Sequence, residues 1–228
     1  MKALMLLAFS ITSLSVVGCS GEKSYDFRVA NWGDTMDQVI AAEQAQGNEK
    51  PETDVDTDNI TIKFSDIVIS GQLGEAEYTF VNKIDKPYIS QYIYDNDKKG
   101  KEIIVELNKD GISESRKEML SNELNKLEEK YQDEYDNLPE SYALDDFRLE
   151  SANYYFNDMD DEASKRIIDE LKKKYGEPIR TVDHFTGWVK NNTTITYDGD
   201  SYLRYDSSYE EMKKFTKQNK NKGSETDL

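Results

Sequence analysis

Closely spaced carboxylates make the segment around residue 56 the first candidate for metal chemistry. Asp54, Asp56 and Asp58 alternate as the first three ligands of an EF-hand calcium loop do. In that register the sixth position, which needs glycine for its turn, is Asn59, and the twelfth, which needs a bidentate glutamate, is Ser65. Because both of these positions differ, the pattern favours a solvated acidic loop over a calcium site.

Two further groups could do chemistry, the acidic run 157–162 and the pair Asp183-His184. Carboxylates at a helix start accept unpaired amide hydrogens, so the run predicts a helix terminus, with a weak divalent-cation site as the alternative. Asp183-His184 would be half of a catalytic triad, but no nucleophile motif accompanies it, so we expect a structural role. His184 is the only histidine, which excludes a multi-histidine metal centre. We predict no metal site, no cofactor and no catalytic residue.

Covalent chemistry of another kind is expected at Cys19, the only cysteine. The uncharged, largely apolar run 3–17 is too short for a transmembrane helix and suits the core of a signal peptide. It ends in Val16-Val17-Gly18-Cys19-Ser20, which resembles the bacterial lipobox. A thiol is needed to take a diacylglyceryl group, and Gly18 is small enough for cleavage beside it. We predict that residues 1–18 are removed and that acylated Cys19 enters a lipid bilayer. The alternative is an ordinary secretory signal that happens to end near a cysteine.

The predicted anchor also sets the compartment. In a Gram-positive cell the protein would lie on the outer face of the cell membrane, with residues 19–26 as a lipidated tether. Ser20 stands where aspartate would retain a Gram-negative lipoprotein at the inner membrane, so the outer membrane is the alternative there. With its one cysteine acylated, the body would have no disulfide and no thiolate metal site.

Composition describes an acidic but foldable body. Removal of 1–18 takes away Lys2 and leaves 28 basic against 46 acidic side chains, a formal charge of −18. Such a surface repels nucleic acid and anionic headgroups and favours basic partners. A mean hydropathy of −0.83 is compatible with disorder, but 15 Tyr, 8 Phe and 2 Trp provide the buried area that a core needs.

Periodicity predicts an N-terminal half, residues 27–111, made of a helix and an antiparallel meander. Thr35 with Gln38 forms a capping box, and the helix should end near Gly47. Alternating apolar residues then predict strands around 60–69 and 78–80, and further strands at 88–94 and 103–107.

The C-terminal half, residues 112–218, repeats the order of helix and meander. Ser115 with Glu118 should cap one helix, and a second should run from Asp161 to Tyr175. A short strand is expected at 153–156, and a meander at 185–189, 194–197 and 202–205, before a short helix that begins at Ser208. The fold class is therefore α+β, with two helix-plus-antiparallel-meander halves and a disordered tail at 219–228.

Short motifs link the chain to known proteins. Trp32-Gly33 precedes the first helix, 174–178 reads Lys-Tyr-Gly-Glu-Pro, and Trp188, 194–196 and 205–207 follow in order. This series resembles a family of uncharacterised exported lipoproteins of low-GC Gram-positive bacteria. The two halves also look like the fold of beta-lactamase inhibitory protein and of small outer-membrane assembly lipoproteins, a likeness that transfers no functional residue. We expect both tryptophans to serve the core rather than to stack on a ligand.

The densest charge lies between Glu128 and Glu162, with thirteen acids against two bases and seven aromatic residues among them. Acid with aromatic surface suits a cationic protein or peptide, although a solvated helix over an ordinary core also fits. The binding residues that we predict are Asp145, Asp146, Tyr154 and Tyr155. The leading hypothesis is a non-enzymatic binding module. The alternatives are an envelope-polymer hydrolase with an Asp/Glu pair and an envelope-assembly accessory lipoprotein.

The anchor can be tested in growing cells fed a labelled fatty acid. We expect the wild-type protein to take up label and to stay with membranes, and Cys19→Ser to do neither, because serine offers no thiol for acylation. An unlabelled wild type, or a serine variant that is equally membrane-bound, would refute the lipid anchor.

Overall fold

In the computed structural model, residues 26–109, 111–199 and 201–216 are described. The fold is α+β, as the sequence predicted. The predicted signal peptide 1–18, its cleavage point at Gly18, the acylation site Cys19 and the tail 219–228 lie outside the described residues.

One antiparallel sheet of eight strands organises the fold. The strands are β1 (Glu52–Val55), β2 (Asn59–Ile69), β3 (Gln72–Asp85), β4 (Ser141–Phe156), β5 (Arg180–Val182), β6 (Phe185–Lys190), β7 (Thr193–Asp198) and β8 (Tyr202–Ser207). Their order across the sheet is β1-β2-β3-β4-β8-β7-β6-β5. Each half of the chain contributes a meander, β1–β3 and β5–β8, and β4 pairs with both β3 and β8. The two halves therefore share one sheet.

Two helices cover one face of this sheet. α1 (Met36–Ala45) begins at the predicted Thr35 capping box, and α5 (Asp161–Tyr175) has the predicted bounds. Val39 of α1 and Ile167 and Leu171 of α5 are buried in the main core. The core also contains Trp32 and Trp188, which confirms their structural role. A short α6 (Tyr209–Met212), capped by Ser208 as predicted, and a 3-10 turn at Lys213–Phe215 follow β8.

A helical insertion stands between β3 and β4, and we call α2, α3 and α4 together the arm. They are α2 (Ile89–Asn96), α3 (Lys98–Leu107) and α4 (Glu114–Asp136). α2 packs on α4 through Tyr92, whose ring lies 6.1 Å from that of Tyr131 and 6.0 Å from that of Tyr135. Gly100 of α3 lies against Ile93 of α2. The Tyr135 hydroxyl donates to the carbonyl of Pro87 at 2.9 Å and so joins the arm to the end of β3.

The arm corrects two predictions, because the strands expected at 88–94 and 103–107 are helices. Adjacent Tyr92 and Ile93 are both buried. In a strand with one solvent-exposed face, successive side chains point to opposite faces, so one of the two would be exposed. Of the tyrosines that suggested a strand, Tyr88 precedes α2 and is exposed, whereas Tyr92 lies within the helix and is buried. The cap of α4 is Ser113, whose Oγ accepts from the amide of Arg116, rather than Ser115.

β4 is also far longer than the strand expected at 153–156. Its register against β3 shifts twice, between Thr79 and Phe80 and between Val81 and Lys83. The first shift leaves Glu150 of β4 unpaired, and the second sets residues 144–147 of β4 against Asn82 alone, so the side to which the side chains point changes along the strand. The alternation that would reveal a strand over 141–152 is therefore broken.

A buried ion pair fixes the described N-terminus to α1 and the sheet. Arg28 donates from Nε and Nη2 to the two carboxylate oxygens of Glu43, at 2.8 and 3.0 Å. Tyr78 and Asn48 also donate to this carboxylate. Burial alone would raise the pKa of Glu43, but hydrogen bonds from Arg28 and Tyr78 outweigh it and hold the pKa below its ordinary value.

We expect Glu43→Gln to lower the free energy of unfolding by about 3–5 kcal/mol, because the Arg28 guanidinium then loses its buried counter-charge. Urea unfolding of the mature chain would measure this. The matched control is Glu162→Gln, which removes a carboxylate that is 84% exposed and pairs with Arg166; its expected cost is below about 0.5 kcal/mol. Equal costs for the two variants would show that the buried pair has no special role.

Candidate binding face

The described part of the chain leaves the sheet open on the side opposite α1 and α5, and we call that side the open face. Core residues such as Tyr78, Tyr154 and Tyr205 point to the covered side. Because side chains alternate along a strand, their neighbours Glu77, Tyr155 and Arg204 point to the open side. The fold therefore leaves a broad sheet surface on that side, on which Tyr155 is exposed and Asn153 of the same strand is buried among its neighbours.

Registered pairing extends one row of side chains across all eight strands. Each member of the row stands opposite the next in a neighbouring strand. In order across the sheet they are Glu52, Lys63, Glu77, Asn153, Arg204, Thr196, Gly187 and Arg180. A second row across six strands contains Glu75, Tyr155, Tyr202, Asp198, Phe185 and Val182.

Charge on the open face is arranged in pairs. Lys63 Nζ lies 3.1 Å from Glu77 Oε2, and Arg204 Nη2 lies 2.8 Å from Asp206 Oδ1. Between these pairs Tyr155 and Tyr202 stand with ring centroids 6.3 Å apart. Toward the β5 edge, Phe185 and Val182 are each 39% exposed. Aromatic and aliphatic surface within a frame of paired charges is typical of a protein-binding patch.

The arm and the open face enclose a polar cleft with a volume of about 430 Å³. The arm contributes Tyr94, Asp95 and Lys101, and the open face contributes Thr194 and Asp206. Lys101 Nζ lies 4.7 Å from the centre of the Tyr94 ring. Burial raises the pKa of Asp95, and nearby Glu210 raises it further. The cleft holds charges of both signs, among them Asp95 and Lys101.

Glu150 is the most perturbed carboxyl group beside the open face. The bulge in β4 leaves it without a partner on β3, between Leu149 and Ser151. Burial, with the negative charge of Asp206 next in importance, raises the pKa of Glu150 to about 7. A carboxyl group of this kind is partly protonated at neutral pH and can donate or accept a hydrogen bond.

The structure distributes the four predicted binding residues over different environments. Tyr155 lies on the open face and is 38% exposed. Tyr154 is fully buried, and its hydroxyl faces the backbone carbonyls of Ile67 and Gln72, so its assignment as a binding residue is wrong. Asp145 and Asp146 are exposed toward the other end of β4, opposite Asn82 of β3, whereas Tyr155 is opposite Glu75; seven strand steps correspond to about 23 Å.

The acidic, aromatic segment 128–162 is not one surface. Residues 128–136 end α4, 141–156 form β4 and 161–162 begin α5. β4 runs along Gly74–Asp85 of β3, a span of about 36 Å at 3.3 Å per residue. Glu140 and Asp158, the acids that precede and follow β4, therefore lie at opposite ends of this strand. Tyr142 and Tyr154 contact other aromatic rings, those of Tyr209 and Phe156.

The other candidates for chemistry take part in structural contacts. Asp58 pairs with Lys83 at 3.1 Å, and Asp160 caps α5 by accepting from the amide of Ala163. The carboxylate nearest His184 Nε2 is Asp198, at 3.9 Å, rather than the neighbouring Asp183. Among the described residues, no group of three or more His, Cys, Asp or Glu side chains is placed to hold a metal ion.

Sequence reasoning missed the open face because its residues are ordinary one at a time. Lys63, Glu77 and Arg204 come from distant segments and meet only through sheet register. A signal was present, since polar residues alternate at 75, 77 and 79 and again at 202, 204 and 206. Glu150 gave no signal, because its pKa depends on a bulge.

Comparison with known proteins gives no family for this chain. No protein-family model, no curated protein and no solved structure matches it. In the described ranges, no helix is long and apolar enough to cross a membrane.

The raised pKa of Glu150 predicts a pH-dependent stability. The Glu150 carboxyl binds its proton more tightly in the folded protein than in the unfolded chain, where its pKa has the ordinary value of 4.5. The free energy of unfolding therefore falls as pH rises from about 4.5 to about 7. We expect Glu150→Gln to remove this fall and to gain about 1–3 kcal/mol over the wild type at pH 8.

Urea unfolding at pH 5 and pH 8 would measure the effect. The matched control is Asp146→Asn, which changes an exposed carboxylate of the same strand and should shift stability by less than about 0.5 kcal/mol. A Glu150→Gln variant with the pH dependence of the wild type would contradict the assignment.

Proposed function

We propose that this protein is a lipid-anchored, extracytoplasmic binding module whose open face binds a partner polypeptide. The observation that carries the proposal is the asymmetry of the sheet. One face is covered by α1 and α5, while the other presents a row of side chains across all eight strands. A sheet of this size with one uncovered, aromatic-bearing face offers the area that protein recognition requires.

The net negative charge of the whole chain favours a cationic partner, because it attracts such a partner over distance; the open face itself carries no single acidic patch. The whole chain carries a formal −17, which attracts positive partners over distance. On the open face itself, Lys63 with Glu77 and Arg204 with Asp206 are already paired. Contact would therefore depend on Tyr155, Tyr202 and Phe185, while the net charge increases the rate of encounter.

One observation favours an enzyme as the second candidate. Glu150, with a pKa of about 7, lies close enough to Asp206 for the two charges to interact. A carboxyl group with a raised pKa can act as the general acid of glycoside hydrolysis when a second carboxyl group lies nearby. For this candidate, Glu150→Gln would abolish release of fragments from purified cell-wall glycan, whereas a binding module shows no such release in either form.

The binding proposal is testable by photocrosslinking in cells. A photoreactive residue would replace Thr196 or Tyr202 on the open face, and Glu170 or Lys173 on α5 in the control proteins. We expect both open-face positions to give the same protein adduct and the α5 positions to give none. The adduct should weaken as salt is raised, because electrostatic steering is screened.

Two results would contradict the proposal. Equal protein adducts from α5 and from the open face would show that the open face is not selective. The absence of any adduct at Thr196 and Tyr202, when the crosslinker is incorporated and the protein is at the membrane, would show that the open face has no polypeptide partner.

A further inference from the structure

The described chain begins on the helix-covered side of the sheet. Phe27 is buried there, with its ring 5.3 Å from Tyr78 and 5.0 Å from Tyr205, two side chains that point away from the open face. Arg28 then pairs with Glu43 of α1. Asp26, the first described residue, interacts electrostatically with Glu211 and Lys214 near the end of the chain. The segment that leads from Cys19 to Asp26 must therefore end on the helix-covered side of the sheet.

Chain length limits how far this side can move from an acylated Cys19. Seven Cα–Cα steps separate Cys19 from Asp26, which is at most about 25 Å. A domain of this size is about 40 Å across. For the open face to lie on the bilayer, the segment from Cys19 to Asp26 would have to pass around the ends of the strands, which requires it to be almost fully extended.

The arm adds a steric obstacle on the open side. Tyr94, Asp95 and Lys101 of the arm line the cleft together with Thr194 and Asp206 of the open face. The arm therefore projects over one end of that face and would keep it from lying flat on a membrane. α4 contributes further repulsion from anionic headgroups, because the stretch 114–136 contains eight acids and four bases.

α5 differs from the rest of this acidic chain in its charge. Between Asp161 and Glu177 there are five acids and five bases, and three of the bases are consecutive at 172–174. Lys173 is exposed, and Lys172 has a counter-charge 3.7 Å away on Glu177. The surface of α5, with no net negative charge, can approach anionic lipid at lower electrostatic cost than α4 can.

We propose that the helix-covered side is a second interaction surface, whose partner is the lipid headgroup surface, and that the open face is consequently held away from the bilayer. This inference rests on the anchoring at Cys19 in the proposed function. It specifies that function further, because the partner would then be taken from the space outside the membrane rather than from within it.

Spin labels on the lipidated protein in vesicles would measure the orientation. An acylated Cys19 leaves no other thiol, so one added cysteine labels cleanly. The positions are Lys173→Cys on α5, Thr196→Cys on the open face and Lys126→Cys on the arm. The vesicles contain phosphatidylcholine, phosphatidylglycerol and a nickel-chelating lipid, whose metal relaxes nearby nitroxides. We expect relaxation to be several-fold stronger at 173 than at 196 or 126.

The outcomes separate the two proposals. Strongest relaxation at 196 or 126, or equal relaxation at all three positions, would overturn the orientation while the anchor stands. A protein that takes up no fatty acid and does not remain with vesicles would refute the anchor itself. Circular dichroism of each labelled variant would confirm that the fold is retained, and Glu170→Cys provides a second position on α5 if the 173 label perturbs it.

Discussion

The carboxylate of Glu43 is the constraint on which the architecture depends. It is fully buried, and an isolated charge in that position would be strongly unfavourable. Arg28, Tyr78 and Asn48 satisfy it from the N-terminal segment, the sheet and the loop after α1. One charged group thus fixes three segments relative to one another. It also determines on which side of the sheet the described chain begins.

Division of the sheet into two unlike faces follows from that arrangement. α1 and α5 bury the aromatic side chains of one face, among them Tyr78 and Tyr205. On the other face, paired charges such as Lys63 with Glu77 satisfy each other without any covering layer. Salt bridges of this exposed kind contribute little to stability. The stability of the fold therefore places little constraint on which side chains the open face carries.

Local signals in the sequence were enough for part of this fold. The Thr35 capping box and the acids before α5 identified two helices correctly, because a cap is an interaction between residues three positions apart. The meander of β6, β7 and β8 was also visible as alternation. The arm was predicted wrongly where tyrosines at 88, 92 and 94 suggested a strand, since the packing partners of Tyr92 lie on α4, remote in sequence. The candidate site could not be predicted beyond Tyr155, because sheet register brings its members together from remote segments.

Under the proposed anchoring at Cys19, the two outermost strands have a consequence for molecules that share a membrane surface. β1 has four residues, all exposed, and carries Glu52 and Asp54, while β5 has only three residues. A short strand that bears charge is a poor template for backbone pairing with a neighbour. Copies confined to a plane meet far more often than copies in solution. These edges would let such copies crowd side by side without joining their sheets into a fibre.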